Sequence, residues 1–140
     1  MDLSDFSNDN LISMSRMFFR CSALETLGLS QFKTPKVEDM SYAFADCSKI
    51  KSLDLSGFNT KNVKNMRGLF ERCKSMTSVN IKSFETENVT DIAIMFSNCS
   101  SLTNLDLSNF KTQNVTNMDS VFSSCSSLKS IDLSNFNTNN

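Results

Sequence analysis

The sequence contains no histidine and no tryptophan, and its 140 residues include only three glycines, one proline and one tyrosine. Without histidine, the chain cannot form a Ser-His-Asp triad, a Cys-His pair or a histidine-ligated metal site. The few glycines exclude a glycine-rich phosphate-binding loop, and the single proline excludes a proline-rich linker. No general base stands beside a nucleophile, and the acidic residues are scattered. We therefore predict that the protein is not an enzyme and has no catalytic residues, no cofactor and no metal site.

The charge is nearly balanced, with 14 basic and 15 acidic residues mixed along the chain and a net charge of −1. The sequence shows no basic patch, which argues against nucleic acid and an anionic membrane surface as partners. No apolar run approaches the ~20 residues that a membrane-spanning helix needs, so we predict no membrane insertion.

The first residues of the chain, Met1–Phe6, lack the basic and apolar regions of a signal peptide. They are similar to the late segment Ile131–Phe136, so the chain starts inside a repeated pattern. We expect an uncapped fragment of a longer array, with any export signal or anchor outside it. Exposed apolar ends would favour end-to-end self-association of such a fragment.

What the sequence does contain is a strict period of 26 residues. The cysteines keep this step at Cys21, Cys47, Cys73, Cys99 and Cys125. One phenylalanine column is Phe6, Phe32, Phe58, Phe84, Phe110 and Phe136, and a second is Phe18, Phe44, Phe70, Phe96 and Phe122. A fixed period of this length is typical of stacked repeats. We predict a single repeat domain over residues 1–140, with about five 26-residue repeats.

Each repeat contains a segment that predicts a short strand. Leu105 and Leu107 alternate with polar neighbours, which is the period-2 pattern of a strand with one buried face. The equivalent strands are expected at 27–29, 53–55, 79–81 and 131–133, with a remnant at Leu3.

A second segment of each repeat predicts a short helix. Val115, Met118, Phe122 and Cys125 follow one another at steps of 3, 4 and 3, which is one face of an amphipathic helix. Good N-cap residues precede the five equivalent segments, at Ser13, Asp39, Asn65, Asp91 and Asn117. The helices are therefore expected to begin near residues 14, 40, 66, 92 and 118.

These elements predict an α/β fold, a solenoid built from 26-residue coils. The frame of Leu102, Leu105, Leu107 and Phe110 resembles a leucine-rich repeat, which implies a solenoid of the leucine-rich-repeat type. We expect about six parallel strands on one face and five short helices on the opposite face. The phenylalanine, methionine and leucine columns would form a continuous core between them.

A longer motif carries a family resemblance. It comprises Ser101–Phe110, Thr112, Asn114–Thr116, Met118 and Val121–Cys125. This motif resembles the BspA-like surface-protein repeat of low-GC bacteria, which include mycoplasmas and lactic-acid bacteria. The resemblance covers the whole chain, and it implies a cell-surface or secreted array that is often linked with adhesion. It offers no catalytic residues to transfer.

The cysteine column could form disulfides, a thiolate metal site or a row of buried thiols. An odd number of cysteines cannot pair completely within the chain, and packed helices would hold them too far apart for disulfides. We therefore predict buried thiols. An aspartate row at Asp54, Asp106 and Asp132 could bind Ca²⁺, but one carboxylate per repeat falls short of the 6–8 oxygen ligands required.

The open face of the predicted sheet is the candidate ligand-binding surface. Its residues are Ser52, Asp54, Ser56, Ser78, Asn80, Lys82, Asn104, Asp106, Ser108, Ser130 and Asp132. Extended repeat surfaces commonly bind partners, and the lack of Trp and Tyr on this face favours a weak, multivalent or carbohydrate ligand. The expected partner is a host or matrix protein or a glycan. The alternative is a structural spacer that holds another domain away from the cell surface.

Overall fold

The computed structural model describes residues 1, 3, 8–29 and 31–137. Within these residues two strands are present, β1 (Ser52–Asp54) and β2 (Ser78–Asn80). They pair in parallel, with Ser52 opposite Ser78 and Asp54 opposite Asn80. The register therefore equals the 26-residue sequence period, as expected of a repeat-type fold with a parallel sheet.

The sheet is shorter than the sequence predicts. In β1 the buried Leu53 lies between two exposed polar residues, which is the expected alternation. The segments 27–29, 105–107 and 131–133 are not strands, although Leu29 and Leu107 are buried in the core. The alternating pattern predicts which side chains point inward. Side chains can be buried in this way without strand–strand hydrogen bonds between the backbones.

The five predicted helices are absent, and the described residues contain no helix. Consecutive turns replace them at 15–20, 41–46, 67–72, 93–98 and 119–124, which together we call the turn ribbon. In the first segment the N–H of Met17 donates to Met14 O at 3.0 Å, and the N–H of Cys21 donates to Phe18 O at 3.1 Å. These are three-residue steps, the hydrogen bonds of β-turns rather than of an α-helix.

The turns depend on left-handed backbone conformations. In the first segment φ is +57° at Arg16 and +62° at Arg20. The same conformation recurs at Tyr42, Asp46, Gly68, Arg72, Ile94, Asn98, Ser120 and Ser124. This region costs a non-glycine residue about 1–2 kcal/mol, so contacts between repeats must offset the cost.

Backbone hydrogen bonds along the turn ribbon supply such contacts. The N–H groups of Met14, Arg16, Phe18 and Arg20 donate to carbonyls of the following repeat at 2.8–2.9 Å. The next three segments repeat this arrangement, always toward the later repeat. A helix would have kept these bonds within itself, whereas the ribbon uses them to join neighbouring repeats.

The predicted N-cap residues cap the ribbon instead of helices. Asp39 Oδ1 accepts the N–H of Ser41 at 2.8 Å, and Asn65 Oδ1 accepts the N–H of Arg67 at 2.9 Å. The backbones of the five cap positions also form parallel bridges from one repeat to the next. The side-chain acceptor was thus predicted correctly, but the element that follows it was not.

One continuous stack of phenylalanine rings and a second phenylalanine column lie in the core. The rings of Phe18, Phe44, Phe70, Phe96 and Phe122 follow one another with centroids 5.3–6.0 Å apart. In the other column Phe32 meets Phe58 at 5.7 Å, and Phe110 meets Phe136 at 6.4 Å, while Phe6 lies outside the described residues. Met17, one of the methionines expected in the core, is 37% exposed because the ribbon turns it outward.

A column of buried threonines connects the repeats beside the phenylalanines. The members that the structure describes are Thr34, Thr60, Thr86 and Thr112. Thr60 is fully buried, and its hydroxyl donates to Glu85 O at 2.9 Å and accepts the N–H of Glu85 at 2.7 Å. Each hydroxyl in the column therefore satisfies both backbone groups of one residue in the next repeat.

Candidate functional site

A shallow depression of about 440 Å³ lies on the strand face, over β1 and β2. It brings together six of the eleven residues predicted from the sequence, namely Ser52, Asp54, Ser78, Asn80, Lys82 and Asp106. The other five, Ser56, Asn104, Ser108, Ser130 and Asp132, are exposed outside its lining. The parallel pairing of the strands places equivalent side chains of successive repeats beside one another, which creates the depression.

Hydrogen bonds hold the acidic groups of this depression. Asp54 Oδ1 accepts the N–H of Ser56 at 3.1 Å and the amide of Asn80 at 2.9 Å. The bonds from Ser56 and then from Asn80 hold the pKa of the Asp54 carboxyl below its usual value. Asp106 accepts the N–H and the hydroxyl of Ser108, which lower the pKa of that carboxyl as well. Both carboxylates are therefore fixed, ionised acceptors at neutral pH.

The Nζ atom of Lys82 lies 3.9 Å from Asp106 Oδ2, and both side chains are more than half exposed. The depression thus presents one ammonium group, two carboxylates, an amide and hydroxyls toward solvent. Such a surface can bind a polar ligand by hydrogen bonds and ionic contacts. Among the described residues, no group of three or more His, Cys, Asp or Glu could hold a metal ion. That part of the chain also contains no helix that could span a membrane.

The cysteine column forms a ladder of buried thiols, as predicted. Cys47, Cys73 and Cys99 are fully buried and free, and each Sγ donates to the carbonyl of a phenylalanine in the preceding repeat at 3.1–3.2 Å. Burial raises the pKa of Cys47 and of Cys99 from 9.0 to about 12, and it also raises the pKa of Cys73. These thiols are therefore protonated donors, and Cys21 and Cys125 at the two ends are only partly buried.

We expect the stability of the folded chain to fall between about pH 9 and pH 12. Below pH 9 the thiols are protonated in both states, but above it the unfolded chain releases protons that folded Cys47 and Cys99, each with a pKa of about 12, retain. Urea unfolding at several alkaline pH values, under reducing conditions, measures this loss. Cys99→Ala should show a shallower decline, and an equal decline in the variant would contradict the assignment.

One surface was missed by the sequence analysis. The turn ribbon carries all four arginines of the chain, Arg16, Arg20, Arg67 and Arg72. We call these residues, together with Phe19 and Tyr42, the arginine face. The signal was present in the sequence, because the four arginines fall in only two of the five equivalent segments, 15–20 and 67–72.

Aromatic rings organise the arginine face. The guanidinium carbon of Arg16 lies 5.9 Å from the centroid of Phe19 and 5.4 Å from that of Tyr42, and the guanidinium carbon of Arg20 lies 5.0 Å from Phe19. Arg67 Nε donates to the Tyr42 hydroxyl at 3.0 Å. Contacts on this face therefore cross from the first ribbon segment to the third.

Comparison with known proteins identifies the family. Residues 1–103 and residues 75–140 each match the family described as "Mycoplasma protein of unknown function, DUF285". The chain belongs to this family. The two DUF285 matches overlap and together span the chain, as expected of a repeated pattern, and they support a mycoplasma-type repeat family. No curated protein and no solved structure matches the chain.

Gly68 is the one glycine among the left-handed ribbon positions of this DUF285 chain, and the Tyr42 ring packs against it. A Cβ at Gly68 would lie 2.6 Å from two carbon atoms of that ring. We expect Gly68→Ala to lower the free energy of unfolding by about 1–3 kcal/mol, through this overlap and the φ of +59°.

Urea unfolding of Gly68→Ala in the natural chain and in a Tyr42→Ala background separates the two causes. Without the Tyr42 ring, only the cost of the left-handed backbone conformation at position 68 remains, so Gly68→Ala should lower the free energy of unfolding by less. An equal loss in both backgrounds would show that the Tyr42 contact contributes nothing.

Proposed function

We propose that the chain is a surface-exposed solenoid module, of the BspA-like type, that mediates adhesion or ligand binding through its strand face. The observation that supports this function best is the depression over β1 and β2. There Asp54, Asn80, Lys82 and Asp106 from three successive repeats converge on one opening. Of these four, only Asn80 is partly buried, so the group contributes little to the core and is available for a ligand.

The chemistry of the depression favours a host or matrix glycan or a polar segment of a protein. It offers fixed donors and acceptors but no aromatic ring for a tight protein contact. An open depression of this kind gives weak affinity for a single ligand group. Repetition of the strand face along an array would strengthen binding to a ligand that is itself repetitive.

The direct test is to probe arrays of glycans and extracellular-matrix proteins with the labelled protein and with Lys82→Ala/Asp106→Ala. Both side chains are largely exposed, so the double variant should fold normally, which urea unfolding verifies. The natural chain should bind a subset of the immobilised ligands, and the double variant should lose that binding.

Glu87→Ala/Lys111→Ala is the matched control. In this exposed ion pair, which lies outside the depression, Lys111 Nζ is 2.6 Å from Glu87 Oε1. Like the Lys82/Asp106 variant, the control removes one positive and one negative charge. The control should bind as the natural chain does. Equal binding by the Lys82/Asp106 variant would contradict the strand-face site.

A structural spacer is the second candidate, and one observation favours it. The turn ribbon and the buried threonine column join every pair of neighbouring repeats that the structure describes, at equivalent positions. A stack tied in this way resists bending, which is what a stalk requires. Absence of binding to any immobilised ligand by the folded protein would place the spacer function first.

A further inference from the structure

The arginine face contains two kinds of arginine. Arg67 lies 3.6 Å from a carboxylate oxygen of Asp91, and Arg72 lies 2.9 Å from one of Asp46. Arg16 and Arg20 instead contact aromatic rings, and no described carboxylate lies within ion-pair distance of either. Both of these side chains are exposed, so their N–H groups face solvent with the guanidinium planes already positioned.

A second feature adjoins Arg20. A polar depression of about 420 Å³ is lined by Arg20, Ser22, Asp46, Ser48, Arg72 and Lys74. Its lining contains three cations and one carboxylate, so its formal charge is +2 in a chain whose net charge is −1. The Ser22 hydroxyl can supply a further hydrogen-bond donor, whereas the Ser48 hydroxyl donates to Ser22 O at 3.5 Å. The lining therefore suits an anionic group rather than a cation.

The arrangement favours a chain of anionic groups over one small ion. Arg20 and Arg72 occupy equivalent positions two repeats apart, which at the ~4.8 Å spacing of paired parallel strands is a separation of about 10 Å. Arg16 adds a third guanidinium group, which like that of Arg20 lies near the Phe19 ring. A ligand that engages all of these groups must carry negative charges at intervals along its length.

The face also offers little apolar area. The rings of Phe19 and Tyr42 are only partly exposed, and guanidinium groups lie over them. These two rings therefore present guanidinium N–H donors rather than an exposed apolar anchor, which a hydrophobic peptide would need. Planar guanidinium groups bind tetrahedral oxyanions through paired N–H donors.

We propose that the arginine face is a second binding surface, on the turn ribbon rather than the strand face, and that its ligand is a sulfated polysaccharide. The guanidinium groups of Arg16 and Arg20 bind sulfate groups directly. The depression beside them, with Arg72 and Lys74, accommodates the next sulfate along the chain. This site is independent of the ligand proposed for the strand face.

Heparin is the probe for this proposal. At neutral pH a protein with a net charge of −1 has no overall attraction to a polyanion, so retention on heparin must come from a local patch. We expect measurable affinity by calorimetry that weakens steeply as salt rises, as counterions are released. Arg16→Gln/Arg20→Gln should lower that affinity about tenfold or more, and Arg16→Lys/Arg20→Lys should restore only part of it.

Lys61→Gln/Lys129→Gln is the control, because it removes the same charge from two exposed lysines outside the arginine face. This control and the Lys82→Ala/Asp106→Ala variant should bind heparin as the natural chain does. Equal losses in the lysine control would overturn the proposal in favour of non-specific charge attraction. Arginine-dependent binding of polyglutamate as strong as that of heparin would assign the face to acidic polypeptides, and absence of heparin binding would also refute it.

Discussion

Phe70→Ala is expected to lower the free energy of unfolding by about 3–5 kcal/mol. Phe70 is fully buried, and its ring stacks on Phe44 at 5.8 Å and on Phe96 at 5.3 Å. The neighbouring repeats are tied to one another by backbone hydrogen bonds, so they cannot move together to fill the cavity. Equilibrium urea unfolding of the variant and the natural chain measures the loss.

Phe122→Ala provides the matched comparison within the same column. Phe122 is only partly buried, and among the described rings it stacks on Phe96 alone, at 6.0 Å. Its replacement should therefore cost clearly less than the replacement of Phe70. Equal losses of unfolding free energy at the two positions would contradict the prediction that the middle of the ring stack contributes more to stability than its end.

Thr60→Val should destabilise the fold by about 1–3 kcal/mol for each backbone group that it leaves unpaired. The substitution keeps the shape of the side chain but removes the hydroxyl that satisfies both the N–H and the carbonyl of Glu85. Thr60 is fully buried, so water cannot replace the hydroxyl without a rearrangement of the repeats. Thr86→Val should give a similar loss, because its hydroxyl makes the same pair of bonds to Lys111.

Thr90→Val is the control for this prediction. The Thr90 hydroxyl donates to Lys64 O at 3.1 Å, but the residue is exposed and solvent can take over the bond. The change in unfolding free energy should stay within about 0.5 kcal/mol. If Thr60→Val lost as little unfolding free energy as this control, the buried hydroxyls would not contribute to the connection between repeats.

The period and the inward-facing columns could be predicted from sequence because burial selects residue type directly. Phe70, Cys73 and Leu53 are buried as their spacing predicts, and the strands pair at the predicted step. The capping role of Asp39 was also predictable, because a side-chain oxygen two residues before an N–H makes the same bond at a turn as at a helix.

The helices could not be distinguished from the turn ribbon by pattern alone. Met14, just before the ribbon, and Phe18, within it, face the core together as residues four apart would on a helix. The left-handed positions carry residues that rarely adopt this conformation, including Ile94 at φ +52° and Tyr42 at φ +56°. Hydrogen bonds between repeats stabilise these conformations. Because such bonds join residues that are far apart in the sequence, the residues of a short segment do not predict them.

Of the two candidate binding surfaces, one was predicted from the sequence and the other was not. The strand-face residues were found because they alternate with buried ones, and six of them meet at one depression. The arginine face was missed because charge was considered only over the whole chain, although Arg16 and Tyr42 are one 26-residue period apart and therefore adjacent in stacked repeats. That contact depends on the stacking of one turn segment on the next.

The direction of the ribbon hydrogen bonds gives the ribbon a polarity. Every N–H that the ribbon sends across a repeat boundary points toward the later repeat, so one edge of the ribbon offers donors and its other edge offers acceptors. Other segments donate in the opposite direction, as the N–H of Lys64 does to Glu38 O, so this polarity belongs to the ribbon alone. Two copies could extend this ladder only by joining the donor edge of one to the acceptor edge of the other, since a two-fold pairing would set donors against donors. Such a heterologous contact does not close on itself. Association through these edges would therefore produce open filaments that lengthen with protein concentration, and not a closed dimer.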